Sequence, residues 1–167
     1  RWTPERAALR SPPDRAFDPR RTLPAAPVCG RSLVTVEGAK YSVPSTWARR
    51  SIVVHAGVHD VTLVGPGGEK IERSRIPKGQ FDIDYAAHYL DVLSKKPQAL
   101  RQVAPVLIPQ LGDPFPRWWT RLFEEHGPIA AARLMARILG ALSELGRDET
   151  VQRVEHSFET GEALATC

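Results

Sequence analysis

One change of hydrophobic period divides this chain. Over residues 32–76 the apolar residues come in short β-branched runs separated by turn residues; after Phe81 they recur at three- and four-residue steps. The first pattern is that of strands and the second that of amphipathic helices. Strands gathered in one half and helices in the other make an α+β protein.

Five strands are expected, over 33–36, 41–43, 52–55, 61–64 and 70–72. Glu37-Gly38-Ala39-Lys40 and Gly65-Pro66-Gly67-Gly68 read as hairpin turns, because glycine accepts the positive φ that such turns demand. So short a stretch is too small for a two-sheet sandwich, whereas a small barrel buries its edges and encloses one apolar interior. The expectation is a five-stranded SH3-like β-barrel over 31–80.

Residues 81–167 are expected to form a short α-helical bundle. Asp84 is placed to cap a helix carrying Tyr85, His88, Tyr89, Val92 and Leu93, which Lys95-Lys96-Pro97 ends. A short helix follows over 98–103. Another spans 114–126 and contains Trp118, Trp119, Leu122 and Phe123, until Gly127-Pro128 stops it and starts the next. In that next helix Ala131, Met135, Ile138, Leu142 and Leu145 form one stripe, widened by Leu134 and Leu139. Gly146 closes it, and Asp148 can cap a last helix over 149–161. Helices of this length are marginal alone in water, so they must bury their stripes together.

Proline marks the connectors. Of 15 prolines, Pro12, Pro13, Pro19, Pro24 and Pro27 fall in residues 1–30, and Pro105, Pro109, Pro114 and Pro116 form a second group. A stretch so rich in fixed φ and missing donors is expected to be an extended, exposed linker.

Charge is uneven. Residues 1–80 carry 14 Lys/Arg against 7 Asp/Glu, net +7, and residues 81–167 carry 9 against 12, net −3. A basic half points to a polyanion, since Lys and Arg neutralise phosphates and release counterions, although the same excess also serves solubility. Arg49 and Arg50 lie between two predicted strands, and Lys70, Arg73, Arg75 and Lys78 follow along and beyond the last. Barrel closure would gather them, with Lys40, at one rim facing phosphate. Trp118, Trp119 and Phe123 are candidate anchors for a partner protein, with core packing as the alternative role.

Catalytic and metal-binding patterns are missing. The glycine-rich turn lacks the strand-to-helix setting and the terminal Lys-Ser/Thr of a phosphate-binding loop. His55, on a strand, and His59 with Asp60, near a turn, do not share a face. His88 lies on an apolar helix side, as expected of a core histidine. No Ser sits in a nucleophile elbow. Cys29 and Cys167 give neither a disulfide framework nor zinc spacing, and read as free thiols of a reducing, cytoplasmic compartment. Every apolar run is too short and too interrupted by charge to cross a bilayer.

The segment Ala39-Lys40-Tyr41-Ser42-Val43-Pro44 resembles the barrel that follows the catalytic domain in IstA-type insertion-sequence transposases, of the DDE, RNase H-like integrase superfamily. The likeness continues through Val58-His59-Asp60-Val61 and Ser94-Lys95-Lys96-Pro97-Gln98-Ala99-Leu100-Arg101-Gln102-Val103-Ala104-Pro105. It extends to Glu125-His126-Gly127-Pro128 and the helix around Ala131 to Ala141, and Glu5-Arg6-Ala7-Ala8-Leu9-Arg10 resembles the segment leaving the catalytic core. The resemblance implies a parent protein that cuts and joins DNA with two metal ions, expected to be magnesium, on a carboxylate triad preceding Arg1. It also implies a helper ATPase of the IstB type and other transposase subunits as partners. Residues 1–30 would then be the linker leaving the catalytic domain, and residues 29–80 would contact the DNA backbone or support assembly. No catalytic residue of the family carries onto a position here, so the fragment is expected to be inert alone and to hold no cofactor.

Overall fold

The computed structural model describes residues 19–160. Residues 5–10, the first two clustered prolines and Cys167 lie outside the described residues. Seven strands come first: β1 (Arg21–Pro27), β2 (Leu33–Val36), β3 (Ala39–Ser42), β4 (Ser51–Ala56), β5 (Asp60–Val64), β6 (Lys70–Ser74) and β7 (Phe81–Asp82). Five helices follow: α1 (Tyr85–His88), α2 (Leu90–Leu93), α3 (Pro97–Leu111), α4 (Phe115–Leu145) and α5 (Arg147–Thr160). The architecture is α+β, a small β-rich unit followed by helices.

The β unit is not the closed SH3-like barrel expected from the sequence. Its strands divide into a four-stranded antiparallel sheet in the order β1-β4-β5-β6 and a three-stranded sheet in the order β2-β3-β7. Between the strand runs, the two are linked by an isolated bridge from Val28 to Val34. Closure fails because the edge of β4 that a barrel would use is taken by β1. That strand lies inside the expected linker. The chain is extended there, as proline requires, but it pairs with β4, and the register shifts between Leu23 and Ala26 around Pro24. An edge strand with a bulge tolerates a residue that has no N–H to give.

Both expected hairpin turns form. Glu37 and Gly38 have φ of 50° and 85° between the paired residues Val36 and Ala39. Positive φ at both central residues is the requirement of a two-residue type I′ hairpin. Val64 pairs with Lys70 across the Gly65–Glu69 loop. Alternation along β4 buries Ile52, Val54 and Ala56, which join Val34, Val36, Tyr41, Val43, Trp47, Val61 and Leu63 in one core between the sheets.

The helices build a separate core. In α3 the buried residues Leu100, Ala104, Leu107, Ile108 and Leu111 make a helical stripe. Pro105 and Pro109, expected in a connector, sit inside this helix on its exposed side, where a lost backbone donor faces water. Helix α4 is interrupted at Gly127, with φ 74° and ψ 173°, immediately before Pro128, as the sequence predicts. Its second part buries Ala131, Met135, Ile138 and Leu139, while Leu142 is half-buried and Leu145 exposed. Helix α5 starts one residue before Asp148, which therefore lies in its first turn.

A polar seam joins the two units. Asp84 caps α1 by accepting the Ala87 N–H at 2.8 Å. It also pairs with Arg73 at 3.0 Å. Ser42 Oγ accepts the Asp84 N–H at 2.9 Å and lies 2.9 Å from His88 Nδ1. The Tyr89 hydroxyl donates to the Arg31 carbonyl at 2.7 Å, and Ser45 Oγ donates to Asp91 at 2.8 Å. The helix expected over Tyr85 to Leu93 breaks at Tyr89, whose φ of −130° separates α1 from α2.

Candidate nucleic-acid interface

Strand register decides where the seven predicted phosphate contacts stand, and it divides them. Val28 exchanges backbone bonds with Arg49 and Arg50, at 3.1 and 2.9 Å, which sets these arginines beside the Cys29–Ser32 turn. Ser51, Val64 and Lys70 finish the same end of the four-stranded sheet. Arg49, Arg50 and Lys70 are all exposed there. Arg31 joins them, because a Cβ added at its neighbour Gly30 would lie 3.6 Å from Arg49 Nε. Beneath this end the Trp47 ring packs directly on Gly65.

Arg73 and Arg75 sit elsewhere and are engaged by carboxylates. Arg73 points inward from β6 and meets Asp84 at 3.0 Å and Asp82 at 4.0 Å. Arg75 bridges to Glu37 and donates to the Gly57 carbonyl at 2.7 Å. These contacts lie toward the opposite end of β4, where Ala56 pairs with Val61. A six-residue strand puts the two ends about 17 Å apart. Lys40 belongs to the second sheet, and Lys78 lies in the turn that leads into β7. Lys40 Nζ lies 4.9 Å from the centre of the Phe81 ring, and the aliphatic stem of Lys78 covers Gly38. The expected single rim is therefore replaced by one group of cations with no carboxylate partner among the described residues (Arg31, Arg49, Arg50, Lys70) and a second set whose arginines hold the fold together.

Arg31 is the residue that sequence reasoning missed. Only the pairing of Val28 with Arg50 brings it near Arg49, and that pairing depends on β1.

The seam is electrostatically tuned. Burial alone would raise the Asp84 carboxyl, but the Ala87 N–H and the Arg73 guanidinium hold it below the ordinary aspartate value. Burial lowers the His88 imidazole, against the pull of Asp84 and with help from Arg73. Burial pushes the Tyr89 phenol up to about 12. His88 is buried, as expected, although its partner is the Ser42 side chain rather than backbone. Among the described residues no group of three or more His, Cys, Asp or Glu side chains is arranged to hold a metal ion. His55 Nδ1 is 3.0 Å from Thr22 Oγ1, and Cys29 is exposed with a free thiol.

The three candidate anchors also separate. Trp118 is 3% exposed and its Nε1 donates to Glu155 at 3.0 Å, so it belongs to the helical core. Trp119 is half-buried and lies 6.2 Å, ring to ring, from Phe123, which is 46% exposed. No helix among the described residues is long and apolar enough to cross a membrane.

Comparison with known proteins finds transposases. Residues 12–74, which include β1 to β6, match the family described as Mu transposase, C-terminal domain. Proteins of Pseudomonas aeruginosa and Shigella flexneri, each named a transposase for insertion sequences IS1326/IS1353, are 30% identical over 140 residues. Those alignments cover 80% of this chain and 26% of each relative. A transposase of Aminobacter aminovorans is 30% identical over 168 residues, covering 96% of this chain and 31% of that protein. The chain thus spans about a quarter to a third of the curated relatives it matches. No solved structure matches it. The similarities are thus to a transposase C-terminal domain over residues 12–74 and to insertion-sequence transposases over most of the chain.

Proposed function

We propose that this chain is the non-catalytic C-terminal portion of an IstA-type transposase of the DDE integrase superfamily, and that its β unit grips the DNA backbone within the assembled transposition complex. The observation that supports the reading is the cluster of Arg31, Arg49, Arg50 and Lys70, exposed at one sheet end, with no carboxylate partner among the described residues. Four cations on four phosphates release counterions in proportion, so log affinity for duplex DNA falls with log salt at a slope of about −3 to −4. Anisotropy titrations across a salt series test this. A slope near zero for the intact chain removes the backbone contact. In this reading the carboxylate triad and its magnesium ions belong to the parent's catalytic domain, and the protein works in the cytoplasm.

The second reading makes the helical half a docking module for an IstB-type ATPase or another transposase subunit. Half-exposed Phe123, packed at a tilt against Trp119, favours it. Capture of the helper ATPase by the chain, lost with Phe123→Ala while the helical content is unchanged, is the expected outcome. Undiminished capture would exclude this anchor.

A further inference from the structure

The helical half is net acidic in sequence, yet one of its grooves is basic. The groove, of about 620 Å³, opens between the turn joining α2 to α3 and the second part of α4. Lys95, His126, Arg133 and Arg137 stand along it, and Pro97, Ala130, Leu134 and Ala136 form much of the remaining wall. None of its lining residues is Asp or Glu. Arg133 and Arg137 are exposed, one helical turn apart, with no ion pair among the described residues; Glu125 faces His126 at 3.7 Å from the rim. Ile129, one turn before Arg133, is 50% exposed.

We propose that this groove docks an acidic, amphipathic segment of a partner protein. Two guanidinium forks one turn apart match carboxylates repeated at the same spacing, each able to take a bidentate pair. The apolar wall requires an apolar side chain between those carboxylates. A phosphodiester backbone would satisfy the arginines and leave that wall bare, which is why protein is favoured over DNA. The inference is independent of the DNA contacts assigned to Arg31, Arg49, Arg50 and Lys70, which lie on the β unit.

The test uses the full chain and three labelled probes: a helical Glu/Leu peptide with leucines at three- and four-residue steps, its Lys/Leu counterpart, and a DNA duplex. The acidic peptide binds and the basic one does not. The double change Arg133→Glu with Arg137→Glu weakens the acidic peptide by about tenfold or more. Leu134→Gln weakens it by a smaller factor at unchanged salt dependence. Circular dichroism verifies that these variants stay folded. Equal binding of the acidic peptide by the charge-reversed and parent chains, or no binding at all, overturns the proposal. So does a result in which the charge reversal spares the peptide and abolishes duplex binding, since the groove would then serve phosphate.

Discussion

Ser42 and His88 meet across the seam between the sheets and the helices, Oγ to Nδ1 at 2.9 Å, with both residues buried. The serine oxygen also accepts the Asp84 N–H, and its own proton can be given to Nδ1 when the neutral imidazole carries its proton on Nε2. One hydroxyl therefore serves the cap of α1 and the orientation of a buried ring. Ser42→Ala strands both groups and lowers stability by about 1–3 kcal/mol in urea titrations followed by tryptophan fluorescence. A loss within error of zero would mean that water replaces the hydroxyl.

The seam is also expected to weaken in acid. His88 in the folded chain lies below 6.5 and Asp84 below 3.8, so the unfolded chain binds the extra protons in both cases. The His88 contribution is complete above 6.5 and fades as pH falls through its depressed value; that of Asp84 is complete above 3.8 and fades below it. His88→Asn keeps an acceptor toward Ser42 without a titrating ring. The variant should lose the upper part of the acid dependence in urea titrations run above and below 6.5, and an unaltered profile would assign that part to another group.

Gly65 tests the packing beneath the cationic end. A Cβ at this position would fall 2.2 Å from Trp47 Cζ2, and the ring is buried. Gly65→Ala must displace the indole and costs about 1–3 kcal/mol. Measured stability equal to the parent would show that the ring has room to move.

The division of the arginines makes a prediction of its own. Arg73→Met and Arg75→Met are expected to leave the salt slope of DNA binding unchanged, and removing the partly buried Arg73 pairs costs about 1 kcal/mol of stability. Arg49→Ala with Arg50→Ala instead reduces the slope by about 2 with stability nearly unchanged. Reversed effects in the two pairs would exchange their roles.

Local chemistry was legible in the sequence wherever neighbours decide it. The Glu37-Gly38 turn, the Asp84 cap and the Gly127-Pro128 interruption all formed as their residues dictate. What escaped depends on partners distant in the chain. Proline argued against a ladder at β1, yet an edge with a bulge accepts it, and the added strand prevents closure of the barrel. Arg73 looks like any exposed cation until Asp82 and Asp84 return beside it on the way into α1. The prolines of α3 looked like connector chemistry because only the assembled bundle shows that they face water. Three of the four members of the candidate interface, Arg49, Arg50 and Lys70, were therefore readable as a group, and the fourth, Arg31, was not.

The two apolar clusters stay on their own sides of a boundary that carries mostly hydroxyls, an imidazole, carboxylates and a guanidinium. Such groups exchange their bonds with solvent at little net loss, about 0.5–1.5 kcal/mol apiece. Directional bonds rather than shared oil therefore fix how the sheets meet the helices, and each half keeps its own oil dry.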